Sequence, residues 1–264
     1  MKTLPFGLTS LTAVILLSGC QQAAAPLSSS TASLGAQSVT VQVESKWTLR
    51  DDQAAAARSK LNLYSSNAEQ RTMYFYDTWN LDLYRQGLIM RARKVKDGDD
   101  ESTVKFRPMT VKEAGNYLNY SGFKCEIDAV GTNQVSSCSF STVQPTGQID
   151  AVRDGFLSIK SLFSSNQEAF ATLKVPVNWS TLQVLGPTPA QVWKKSVSSL
   201  AYPYTVEQWT LPSGAVVTEV STRTSQADAS SSSVALKNYL MGKGLVISTD
   251  QETKTQRTLN EWTQ

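Results

Sequence analysis

The 264-residue chain contains no histidine. That absence removes Ser-His-Asp and Cys-His catalysis and every imidazole metal ligand. Cysteine is scarce, at three residues, so a thiolate metal cluster would lack ligands. The apolar run from Leu11 to Leu17 is too short for a helix that spans a bilayer. Neither charge dominates: 25 Lys and Arg stand against 22 Asp and Glu, for a net charge of +3. Such near-balance argues against a nucleic-acid binder and requires any basic site to be local. What remains for chemistry is a set of carboxylates, ammonium and guanidinium groups, and hard-metal coordination.

What is present begins with an address. Lys2, the apolar run and Leu17-Ser18-Gly19-Cys20 have the order of a signal peptide ending in a bacterial lipobox. Residues 1–19 are expected to be removed and Cys20 acylated, which takes away Lys2 and lowers the net charge to +2. Gln21 and Gln22 follow with no Asp to retain the protein in an inner membrane, so outer-membrane anchoring facing the periplasm is expected. The only membrane contact would be through the lipid. Residues 20–38, rich in Ala, Ser and Thr, read as the acylated cysteine and a flexible tether. Residues 39–264 are long enough for one domain with its own core.

That domain is mostly strand-like. From Val39 to Leu49 the chain alternates, with Val41, Val43, Ser45 and Trp47 on one side and Gln42, Glu44 and Lys46 on the other. Tyr74–Tyr76 forms an aromatic strand. After a turn around Asp77, Asn80 and Asp82, a second strand places Leu88, Met90 and Ala92 on one face and Ile89, Arg91 and Arg93 on the other. Two arginines two residues apart share a face, with side-chain origins roughly 7 Å apart. Asp77 reads as a turn-setter, and Trp79 and Tyr84 as packing residues.

Thr103, Lys105 and Arg107 share a face of the next strand. Lys124, Glu126 and Asp128 share a face of a strand that turns at Val130-Gly131-Thr132-Asn133 into Val135–Phe140. In that hairpin Cys125 and Cys138 lie opposite one another, and an oxidising compartment predicts a disulfide between them.

Asp51–Leu61 and Ser231–Met241 read as helices, the latter through Val234, Leu236, Tyr239 and Leu240. Val152, Phe156, Ile159, Phe163, Phe170 and Leu173 fit helices covering a sheet. Leu182–Leu185 reads as a strand. Gln191–Leu200 is ambiguous, so the facing of Lys194 and Lys195 is open. Tyr204–Leu211 and Ala215–Arg223 form a hairpin whose second strand places Val217, Glu219, Ser221 and Arg223 together.

Several strands with one charged face are either a solvated sheet or a closed barrel with a polar interior. At Gln42-Val43-Glu44-Ser45-Lys46 the sequence resembles the Glu-x-Glu-x-Lys signature of the CYTH, or triphosphate tunnel metalloenzyme, family. Tyr76-Asp77-Thr78, Leu81, Leu83, Gly87, Leu88, Arg91 and Arg93 are similar to a longer block of the same family. Val104-Lys105 and Glu126-x-Asp128 follow in its order, and the resemblance thins toward Ile247.

It implies an α+β fold: an antiparallel eight-stranded closed barrel, or tunnel, with flanking helices. It also implies binding of tri- or polyphosphate with Mg²⁺ or Mn²⁺, and hydrolysis of a phosphoanhydride. Under that resemblance Lys46, Arg91, Arg93 and Lys105 match the phosphate-gripping cations. Glu44, Glu126 and Asp128 match metal-holding carboxylates, and Glu219 is a weaker match. Three departures thin the metal set: Gln42 replaces the first Glu, Asp128 replaces a Glu, and Ser221 stands where a second carboxylate partners Glu219. A hydrolase, a binding protein for a phosphate-rich or other anionic ligand, and a structural envelope lipoprotein therefore stay open.

Overall fold

The structure, a computed structural model, describes residues 41–131 and 133–263. The expected signal peptide, Cys20 and the expected tether to residue 38 lie outside the described residues. In chain order the elements are β1 (Gln42–Thr48), α1 (Ala54–Lys60), β2 (Glu69–Asp77), α2 (Asp82–Arg85), β3 (Leu88–Val95), β4 (Asp100–Phe106) and α3 (Val111–Ala114). They continue as β5 (Phe123–Val130), β6 (Asn133–Gln144), α4 (Gln148–Arg153), α5 (Ser165–Ala171), β7 (Gln183–Lys195), β8 (Tyr204–Thr210), β9 (Val216–Thr224), α6 (Ala229–Gly242) and α7 (Lys254–Trp262). None of the described helices is long and apolar enough to cross a membrane.

The strands close into one barrel in the order β1-β5-β6-β4-β3-β2-β7-β8-β9. This corrects the eight-stranded antiparallel expectation: the ring has nine strands and is mixed. A closed ring with an odd number of strands cannot be antiparallel at every seam. Here the parallel seam is β1 on β5, with Glu44 beside Asp128, while β1 meets β9 antiparallel. The first part of the ambiguous Gln191–Leu200 segment, to Lys195, completes β7, which continues through Gly186-Pro187-Thr188-Pro189 with a shift of register against β2 and pairs with both β2 and β8. Only glycine fits at 186, because a Cβ there would stand 2.8 Å from Tyr74 Cδ1 and 2.9 Å from the Met73 carbonyl oxygen.

Strand alternation sends apolar side chains outward beneath the helices and charged ones inward. Outside, Tyr74, Tyr76, Leu88, Met90, Ala92, Val104 and Phe106 pack with Val152, Phe163 and Phe170 of the segment from α4 to α5. On the far side Trp47, Trp193, Val206 and Val220 pack against Ala57, Leu61, Leu236 and Leu240. Phe156 and Leu173, expected to cover the sheet, are 82% and 47% exposed, and Val234 is exposed too. Phe156 lies beyond the end of α4 at Arg153, after a left-handed Gly155, so its side chain leaves the helical stripe. The predicted disulfide joins Cys125 to Cys138, which face each other across β5 and β6 with Cα atoms 4.0 Å apart.

Candidate functional site

The inward residues of the barrel line a cavity of about 580 Å³. Ten lysines and arginines line it against four glutamates, a local excess of positive charge inside a chain that is nearly balanced overall. Lys46, Arg91, Arg93, Lys105, Glu44 and Glu126 all reach it, so the phosphate-gripping set implied by the resemblance converges in space. Asp128, 2% exposed, lies behind Lys105 and Arg107. The nearest ligand oxygens of Glu44, Glu126 and Asp128 lie within 4.8 Å of one another. Glu219 is outside that group. It is held on β9 by Lys254, whose Nζ lies 2.7 Å from its Oε1.

Asp128 is the hub of the acidic side. Its Oδ1 accepts from Lys46 Nζ at 2.6 Å. Its Oδ2 accepts from Lys105 Nζ at 2.8 Å, Ser137 Oγ at 2.7 Å and Arg107 Nε at 3.1 Å. Burial raises the Asp128 carboxyl's pKa, but Lys46, Lys105 and Arg107 together hold it well below the usual carboxylate range. Glu44 pairs with Lys46 at 2.9 Å and with Arg223 at 3.0 Å. There too burial pushes upward, and the two cations bring the value down to about 2. Glu126 meets Lys105 at 3.1 Å, Lys124 at 3.0 Å and Arg223 at 3.5 Å.

The β2–β3 side is different. Arg91 lies between Phe75 and Thr103 in register and forms no ion pair among the described residues. Burial and the neighbouring Arg93 lower its pKa, yet a guanidinium stays charged at any ordinary pH. Arg93 reaches only Glu101, at 3.3 Å, and its buried Nε has no hydrogen-bond partner among the described residues. Buried donors left without acceptors are costly, so this wall is poised for an anion.

Several tunnel residues escaped the sequence reading. Arg71 precedes the aromatic run on β2. Lys194 turns inward from β7, whereas Lys195 turns outward to the Asn62 carbonyl at 3.2 Å. Arg107, Lys124 and Arg223, on the charged faces of their strands, also line the cavity. Lys254 comes from α7, an element not foreseen. Its Nζ lies 2.9 Å from Glu207 and 5.3 Å from the Trp209 ring centre, with Leu259 of the same helix buried among Met73, Phe75, Ile89 and Trp209. The usable signal was Thr253, whose side chain accepts from the Gln256 N–H as a helix cap.

The carboxylates are hard donors of the kind that Mg²⁺ or Mn²⁺ takes. As disposed, however, all six oxygens of Glu44, Glu126 and Asp128 face lysine or arginine nitrogens. The group has the right ligand chemistry but not the free oxygens or the negative field that a dication needs.

No family model and no curated protein matches the sequence. Solved structures do match. A Bacillus halodurans protein provisionally named an adenylate cyclase is 13% identical, with a TM-score of 0.57 over 83% of this chain and 97% of its own. A protein from Hippeastrum, provisionally named an adenylyl cyclase and described as having a dominant triphosphatase activity, is 14% identical. Its TM-score is 0.59, over 83% of this chain and 96% of its own. The domain is thus CYTH-like in fold, a closed β-tunnel with a charged interior.

Proposed function

We propose that the tunnel binds a tri- or polyphosphate chain or a closely similar polyanion. Arg91 carries this reading: a guanidinium inside the barrel with no carboxylate partner, beside an Arg93 that is only partly satisfied. Phosphate oxygens would give both arginines acceptors in fork geometry, and charge-assisted hydrogen bonds are the strong ones. Lys105 on the neighbouring β4 and Lys46 on β1 would contribute further cations, both held in place by Asp128. The triphosphatase activity described for the Hippeastrum protein supports a triphosphate as the ligand class.

The experiment is a thermal-shift titration of the domain from residue 38 onward with tripolyphosphate. At about 100 times its dissociation constant a ligand stabilises by roughly 2.7 kcal/mol. Arg91→Ala should abolish that shift and leave the unliganded melting temperature near that of the parent, since no ion pair is lost. An unchanged shift in the variant removes Arg91 from the site.

Hydrolysis is the second reading, favoured by the three carboxylates within 4.8 Å. It needs a dication where protein cations now lie. Phosphate release from tripolyphosphate with Mg²⁺ or Mn²⁺, lost in Glu44→Gln, would establish it.

We infer that the domain is carried on a lipid at Cys20, on the periplasmic side of an outer membrane. The Cys125–Cys138 bond supports an oxidising compartment. Labelling with an acyl-chain analogue, lost in Cys20→Ala, tests the anchor.

A further inference from the structure

The geometry points to a tunnel that grips its polyanion without any divalent cation, because lysine and arginine side chains stand where metal ions would be needed. This inference rests on the polyphosphate reading above and states how that site is charged. Two observations carry it, at two separate groups of carboxylates.

The first is the Glu44, Glu126 and Asp128 group. Lys46 lies 2.9 Å from Glu44 and 2.6 Å from Asp128, bridging carboxylates on β1 and β5 as a shared metal would. Lys105 does the same between Asp128 and Glu126, at 2.8 and 3.1 Å. Arg107 and Arg223 add two more cations at the edges. Three negative charges are thereby outnumbered, and an incoming dication would have to displace ammonium groups in a partly buried site, where charges are poorly screened. The seam that brings these acids together is the parallel pairing of β1 with β5.

The second is the pair of Glu207 on β8 and Glu219 on β9, directly opposite in register. Two facing carboxylates in a barrel interior would repel, and a bridging cation is required. The chain provides one from α7: Lys254 Nζ lies 2.9 Å from Glu207 and 2.7 Å from Glu219. The side chains are 13%, 17% and 3% exposed, respectively. The ammonium also sits over the Trp209 ring, at 5.3 Å, a contact available to a lysine or arginine but not to a hydrated Mg²⁺ in the same form.

Under this arrangement the carboxylates orient the cations, and the cations attract the ligand. Dissolved Mg²⁺ would act only by competing for the free phosphate chain. Calorimetric titration of tripolyphosphate into the tethered domain, once in EDTA and once in excess Mg²⁺, is the test. The expected result is binding in EDTA at least as tight as in Mg²⁺. Binding that is tenfold or more tighter with Mg²⁺ overturns the inference while leaving the polyphosphate reading intact. No binding in either buffer overturns that reading and this inference with it.

Manganese alone gives an independent check through the loss of the free Mn²⁺ resonance signal. The parent protein should leave that signal unchanged at micromolar Mn²⁺, and Lys254→Met should quench it by exposing the Glu207–Glu219 pair. Should that variant fail to fold, the parent titration still decides, since micromolar Mn²⁺ binding by the parent refutes the built-in cations.

Discussion

At the scale of single residues the tunnel separates side chains that build the site from side chains that wait for a ligand. Asp128 belongs to the first kind: four donors converge on it, three of them cationic. Removing one partner of such a buried network leaves the others uncompensated, which costs about 3–5 kcal/mol. Asp128→Asn should therefore lower unfolding stability by about that amount, as read from urea denaturation. A loss under about 1 kcal/mol would mean that the cations find water instead of needing the carboxylate. Arg91 belongs to the second kind, and its removal should be felt in binding and not in folding. Asp77, read as a turn-setter, is one: its carboxylate accepts from the N–H groups of Thr78, Leu83 and Tyr84 at 2.7, 2.9 and 2.8 Å.

At the scale of elements, inward and outward faces were legible because strand alternation is local. Ile89, Arg91 and Arg93 face the cavity and Leu88, Met90 and Ala92 the helices, as period two requires. The β5–β6 hairpin and its disulfide were readable for the same reason, since the two strands are joined by a turn. Strand pairing between distant segments was not readable. All nine strand segments are legible as strands, but nothing in Gln42–Thr48 says that its neighbours are β5 and β9, so the ring order and its parallel seam are not.

The helix α7 is hard to read because its sequence is polar: its buried residues are Thr258 and Leu259, with Trp262 packing partly buried beside them. Leu259 is 2% exposed and fills the apolar part of the barrel interior. Leu259→Ala should lower stability by about 2–5 kcal/mol, as large-to-small changes at buried sites do. It should also loosen Lys254 from Glu207 and Glu219. A melting temperature within the error of the parent would show instead that the helix sits lightly on the barrel mouth.

At the scale of the whole molecule, a net charge of +3 conceals a strongly partitioned distribution. Many of the interior cations are paired with carboxylates whose ionised form the fold requires, so acid should unfold the protein from within. Glu44 and Glu207 each have an ordinary value of 4.5. Burial raises both, and nearby cations, Lys46 and Arg223 for Glu44 and Lys254 for Glu207, bring each down to about 2. Glu126 is shifted the same way, burial again being outweighed, by Lys105 and Lys124.

A carboxyl group with a lower value folded than unfolded binds fewer protons in the native state. Its contribution is complete above the unfolded value and is lost as pH falls toward the folded one. Stability should accordingly be flat between about pH 5 and 8 and fall steeply between about pH 4.5 and 2. Because these pairs are sheltered in the barrel, added salt should shift the midpoint little, unlike surface pairs screened over about 8–10 Å. Denaturation midpoints measured from pH 7 down to pH 2, at low and high salt, test both parts. A midpoint moving strongly with salt would place the decisive carboxylates on the surface, at pairs such as Arg50–Asp52, and not in the tunnel.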